Sequence, residues 1–177
     1  MYEKVCEKLG VDSKEAQSIQ RSEMLNLRSV LAEDARDRGD FAAYRAFLEE
    51  SISIGTARER ETGNKRPLAR ARFKSGEQAM AEGDFAGARQ IMEENLPLLR
   101  ELCPTHEVSL ALYEMTRLAC YQEDYRRARV LFEENMALVD SVGIDVHRPW
   151  ILSGAARIAR AEGRYGEAIG LFKESLT

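Results

Sequence analysis

Arg117, Arg157 and Arg160 stand among Tyr113, Tyr121 and Trp150 in the carboxyl-terminal half of this 177-residue chain, with Phe73 further upstream. A planar guanidinium can fork onto a carboxylate while rigid rings supply contact area. The set therefore has the composition of a binding hot spot for an acidic or carboxylate-bearing peptide segment. The same arginines could instead pair with nearby glutamates as a solvated helix face, and Trp150 could pack beneath the adjacent linker. Other chemistry-bearing residues converge less. The pairs Glu49-Glu50, Glu93-Glu94 and Glu133-Glu134 would point about 100° apart on a helix, so neither member reaches the other's target and the pairs read as solvated surface. Cys6, Cys103 and Cys120 are odd in number and widely spaced, which suits reduced thiols in a cytosolic protein. His106 and His147 stand near Pro104 and Pro149 without a second ligand at metal-binding spacing, and read as exposed helix-terminus residues. Lys65, Arg66, Arg70, Arg72 and Lys74 are flanked by acids and carry no nucleic-acid recognition motif. No phosphate cradle, nucleophile elbow or metal-helix motif occurs, so the expectation is a non-enzymatic protein with no catalytic residues, no cofactor and no metal.

A repeat positions the arginines and rings. Gly39-Asp40-Phe41, Gly83-Asp84-Phe85, Glu123-Asp124-Tyr125 and Gly163-Arg164-Tyr165 follow one another at intervals of 44, 40 and 40 residues. Six residues before each aromatic stands alanine (Ala35, Ala79, Ala119, Ala159), and nine before it a small residue (Ala32, Gly76, Thr116, Ala156). Three after it come Tyr44, Ala88, Ala128 and Ala168; seven after it Leu48, Met92, Phe132 and Phe172; eleven after it Ile52, Leu96, Met136 and Leu176. These offsets each mark one face of a helix, so every copy reads as two antiparallel helices joined at the tripeptide. Glycine suits the left-handed end of the first helix, and aspartate caps the second. Self-similarity of this period is the signature of a helical solenoid, whose first helices line the concave face. On that side, counted back from the aromatics, lie Arg70, Phe73, Glu77 and Met80, then Leu110, Tyr113, Arg117, Cys120 and Tyr121, then Trp150, Ser153, Arg157 and Arg160. The first copy would contribute Asn26, Ser29, Glu33, Arg36 and Asp37. Acids mix with arginine in the first half of this ladder, and the second half carries none.

The succession of small residue, alanine, turn aromatic, alanine and large apolar residue resembles the tetratricopeptide repeat, from Ser22 to Thr177. The period is longer than that family's usual ~34 residues. Runs such as Glu82-Gly83-Asp84-Phe85-Ala86-Gly87-Ala88 are similar to the long-repeat arrays of large bacterial regulators, where ATPase switches or DNA-binding heads are attached. The resemblance implies an all-α, right-handed solenoid of about four antiparallel hairpins. It divides the chain, taken as a single repeat domain over 1–177, into an extension (1–21) and repeats at 22–64, 65–105, 106–146 and 147–177. The carboxylate clamp of the family's chaperone-binding members uses lysine and asparagine on the ladder, where only Asn26 matches, so that activity is not implied.

Composition agrees, with 44% hydrophobic and 32% charged residues and a net charge of −4. Interspersed charges offer no whole-molecule attraction to nucleic acid or anionic membrane. No apolar run suits a membrane span and the amino terminus is too polar for a signal peptide, which places the chain in the cytoplasm. The expected helices are Phe41 to near Arg60, Leu68 to Glu82, Phe85 to Leu102, Glu107 to Gln122, Tyr125 to Val142, Pro149 to Glu162 and Tyr165 onward, after a short helix over Met1 to Leu9. Asn95 and Asn135 are expected to bond across repeat junctions. Only twelve residues follow Tyr165, so Ile169, Phe172 and Leu176 are expected to continue into a missing repeat of a longer protein or to meet a partner, self-association included. The functional expectation is an interaction scaffold holding a protein or peptide segment. Its rival is a sensor that binds a small effector inside a transcriptional or signalling regulator.

Overall fold

The structure, a computed structural model, describes residues 30–143 and 147–176, so the expected extension, the ladder positions Asn26 and Ser29, and the linker residues Ile144 and Asp145 lie outside it. The described residues form eight helices: α1 over residues 30–37, α2 (Phe41–Thr62), α3 (Arg66–Ala81), α4 (Phe85–Leu102), α5 (Thr105–Tyr121), α6 (Tyr125–Val142), α7 (Arg148–Ala161) and α8 (Tyr165–Glu174). Each predicted turn joins one pair. Gly39, Gly83 and Gly163 have φ of 74°, 83° and 77°, and Glu123 takes the same left-handed conformation at φ 59°. The following amide then bonds back five residues at 2.9 Å in every copy, from Asp40 to the Ala35 carbonyl, Asp84 to Ala79, Asp124 to Ala119 and Arg164 to Ala159. Asp40, Asp84 and Asp124 accept from the amides of Ala43, Gly87 and Arg127 and cap the second helices, while Arg164 makes no side-chain cap.

The helices start slightly earlier than expected at two prolines. α3 begins at Arg66, with Pro67 in its first turn, where a missing N–H leaves no bond unmade, and the Asn64 side chain accepts from the Arg66 amide at 3.1 Å. α7 likewise begins at Arg148 with Pro149 in its first turn. α4 runs unbroken through the exposed Pro97.

The chain packs as two compact units, Met1–Ala71 and Arg72–Thr177, with the boundary inside α3. In the first, Ala32 and Ala35 of α1 bury against Tyr44 and Leu48 of α2, joined by Ala43 and Phe47. Tyr44, at the position where the other copies have alanine, is accommodated with its ring buried. Further along, a Cβ on Gly55 would stand 2.9 Å from the Leu68 Cα, so α2 and the start of α3 touch backbone to backbone.

In the second unit α4 packs on α5, α5 on α6, α6 on α7 and α7 on α8, and α5 also reaches α7. α5 and α7 thus meet each other as well as both neighbouring second helices. Thr116, Ala119, Ala156, Ala159, Ala88, Ala128 and Ala168 are all buried at these seams. Gly76 faces Met92 so closely that a Cβ would come within 2.8 Å of its Cγ, whereas Ala79 is only half-buried. Ion pairs link adjacent hairpins on the second-helix side: Arg127 to Glu93 at 2.8 Å, Arg89 to Asp124 at 3.5 Å, Arg129 to Glu162 at 2.6 Å, and Arg100 to Glu134. One member of two of the acidic pairs is therefore a fastener between hairpins rather than plain solvated surface.

Asn135 corrects another expectation. Its Nδ2 donates to the Ser109 carbonyl at 2.9 Å, inside its own hairpin, because the residue faces α5. A buried-side polar contact across the next junction is made instead by Ser109 Oγ and His147 Nδ1, 3.1 Å apart, beside the ion pairs of Arg129 with Glu162 and Arg148 with Asp140. His147 is consequently half-buried, with its ring tilted against that of Trp150, not the exposed terminus residue its proline neighbour suggested.

Candidate functional site: an arginine and aromatic face on α5 and α7

Spacing by four places Tyr113, Arg117 and Tyr121 above one another on α5, and spacing by three and four places Trp150, Ser153 and Arg157 on one side of α7. Because α5 and α7 are in contact, the two rows meet. The Tyr113 and Trp150 rings lie 6.5 Å apart at 31°, and His147 supports Trp150 from behind with ring centroids 5.4 Å apart. Arg117 sits over both tyrosines, 5.8 Å from the Tyr113 centroid and 6.0 Å from that of Tyr121. Arg157, on α7, places its charge near the Tyr121 hydroxyl and near Cys120. Tyr113, Arg117, Tyr121, Trp150 and Arg157 thus form one face, with Trp150 50% exposed. Arg160 lies exposed in the last turn of the same helix.

Phe73 does not join them. It is buried in α3, and a ring without a polar tip gains nothing by staying at a wet face where tyrosine can. An acid nevertheless stands beside the second half of the ladder. Glu114, one helical step from the counted stripe and only 7% exposed, accepts from Arg117 Nη1 through both carboxylate oxygens, at 3.0 and 2.8 Å. The signal for it was present as an acid three residues before an arginine.

Electrostatics divide the face. Burial pushes the Glu114 carboxyl upward, and Arg117 only partly offsets it. Burial also works against the Arg117 charge, but hydrogen bonds with Tyr121 and Glu114 prevail and its guanidinium is held charged. The Tyr121 hydroxyl is drawn below its ordinary value, first by the hydrogen bond from Arg117, against burial, with Arg157 assisting. Burial raises the Cys120 thiol despite Arg157. On α3, Lys74 and Glu77 pair at 2.8 Å. Lys74 and Arg117 are therefore each paired with a carboxylate, whereas neither Arg157 nor Arg160 has a carboxylate partner among the described residues. The end of Tyr121 is fixed by Phe85 of the preceding hairpin, stacked at 5.5 Å and 9°, and by Gln122 donating to the Phe85 carbonyl at 3.1 Å.

Among the described residues no group of three or more His, Cys, Asp or Glu side chains could hold a metal ion, and no helix is long and apolar enough to cross a membrane. No protein-family model matches the chain, and a search of curated proteins finds no significant relative.

Proposed function

We propose that this chain is a non-enzymatic interaction module, a right-handed tetratricopeptide-like array that holds an acidic peptide segment against α5 and α7 and works in the cytoplasm as part of a regulatory protein. The observation that carries the reading is a pair of arginines, Arg157 and Arg160, that have no carboxylate partner among the described residues and stand on the same helix as the half-exposed Trp150. A peptide carboxylate at Arg157 would gain a charge-assisted bond, and the rings would grip the chain on either side. Arg117, already bonded to Glu114, holds Tyr113 and Tyr121 in place and contributes little free charge. The unbridged thiol of Cys120 suits a reducing compartment.

Trp150 is the sole tryptophan of the chain, so its fluorescence reports on this face alone. Titration with a short glutamate-rich peptide should give a saturable change that weakens as salt rises. The double substitution Arg157→Glu with Arg160→Glu should weaken it roughly tenfold or more without lowering the melting temperature. An unchanged titration curve in that variant, or no response in the parent, would overturn the assignment.

A further inference from the structure

Eleven and eight residues before the turn aromatics stand Val30 and Glu33, Lys74 and Glu77, Glu114 and Arg117, and Gly154 and Arg157. Residues three apart are neighbours on a helix surface. In the two middle copies they carry opposite charges and close on each other. Lys74 Nζ lies 2.8 Å from Glu77, and Arg117 Nη1 donates to both oxygens of Glu114 at 3.0 and 2.8 Å. The fourth copy keeps the arginine and lacks the acid. Arg157 stands where Arg117 stands one hairpin earlier, but glycine takes the place of Glu114, and Arg157 has no carboxylate partner among the described residues. Packing does not require that glycine. An added Cβ would meet only Thr116 Cγ2, at an ordinary 3.6 Å, and glycine inside a helix is disfavoured relative to alanine.

We infer that the residue eleven before the turn aromatic decides which ladder arginine a ligand can use: Glu114 occupies Arg117 as an internal stand-in for a ligand carboxylate, and Gly154 leaves Arg157 open. Given the acidic-peptide reading, on which this rests, the peptide's carboxylate is directed to the fourth copy, while the third supplies rings. Glu114 is 7% exposed, and the Arg117 it holds lies over Tyr113 and Tyr121. A ligand could use that guanidinium only by parting it from a buried acid, and breaking a buried pair is costly. At Arg157 no such exchange is needed, so selectivity between two like arginines comes from a residue that need not touch the ligand.

Gly154→Glu supplies the missing acid, and Gly154→Ala fills the same space without charge. With Trp150 fluorescence as the readout and a short glutamate-rich peptide as the probe, Gly154→Glu should bind roughly tenfold or more weakly than Gly154→Ala. Glu114→Gln, nearly isosteric, should strengthen binding roughly threefold or more by releasing Arg117, and it tests the same idea independently should Gly154→Glu fail to fold by circular dichroism. Glu133→Gln, an equal change of net charge at an exposed residue of α6, should leave binding as it is. A parent that binds and loses binding with Arg157→Glu and Arg160→Glu, yet is indifferent to Glu114→Gln or to a folded Gly154→Glu, would overturn the inference and leave the acidic-peptide reading standing. Equal weakening by Gly154→Ala and Gly154→Glu, or equal strengthening by Glu133→Gln and Glu114→Gln, would also overturn it. No response in the parent would overturn both.

Discussion

Glu123 occupies the left-handed turn position that glycine fills in the other three hairpins, and its replacement by glycine should stabilise the protein. At φ 59° a residue bearing a Cβ pays roughly 1–2 kcal/mol relative to the right-handed region. Glycine avoids that cost but loses more chain freedom on folding, which returns part of the gain. The Glu123 side chain is exposed and makes no hydrogen bond among the described residues, so little else is lost. The net expectation is a gain of about 1 kcal/mol, or some 3–6 °C in melting temperature for a folding unit near a hundred residues. The mirror change, Gly83→Ala, should cost about the same: a Cβ there meets nothing within 4 Å, leaving the backbone as the only source of strain. Thermal unfolding followed by circular dichroism at 222 nm would compare the two variants with the parent. If Glu123→Gly melts at or below the parent temperature, or Gly83→Ala is neutral, the shared turn geometry is not what fixes these hairpins.

Two further glycines separate contact from conformation. Gly55→Ala should destabilise by about 2 kcal/mol or more, because its Cβ would press on the Leu68 backbone, which has no rotamer to change. Gly154→Ala, whose nearest neighbour would be Thr116 Cγ2 at 3.6 Å, should be neutral or add up to about 1 kcal/mol of helix propensity; chemical denaturation of both variants checks the contrast. His147 makes stability depend on pH. Burial, helped by the nearby His106, lowers its folded-state value below the ordinary 6.5, so the unfolded chain binds the proton more readily. Its contribution is present above pH 6.5 and is lost as pH falls through the depressed folded value. His147→Gln should therefore flatten the fall in melting temperature between neutral pH and mildly acid buffer, and an identical slope in both proteins would contradict this.

The repeat was legible because one helical turn of chemistry recurs four times. Alanine, turn aromatic and large apolar residue sit at offsets that only paired helices reconcile, and the buried Ala119, Ala156, Ala159 and Ala128 lie where those offsets put them. The site was legible as far as helical spacing reaches: Tyr113, Arg117 and Tyr121 share a face because they are four apart. Spacing could not tell that Phe73 turns inward, since one stripe position can serve core or surface according to what stands across from it. It offered the pairing of Arg117 with a nearby glutamate as an alternative but could not choose it, because a pairing three residues apart depends on the rotamer the arginine takes. The forward reach of Arg89 and Arg129 was hidden for a different reason. Their partners lie some 35 residues away in sequence, at 35 and 33 positions, and become neighbours only once hairpins stack.

Those forward-reaching arginines give the second unit two kinds of seam with different sensitivities. Within a hairpin the helices are joined by dry contacts such as Gly76 on Met92, which dissolved ions scarcely touch. Between hairpins, ion pairs at the surface supplement the packing of α4 on α5, α6 on α7 and α5 on α7, and ions screen such pairs over about 8 Å at physiological strength. Added salt therefore removes a small share of what joins one hairpin to the next, while each hairpin's own integrity is nearly unaffected.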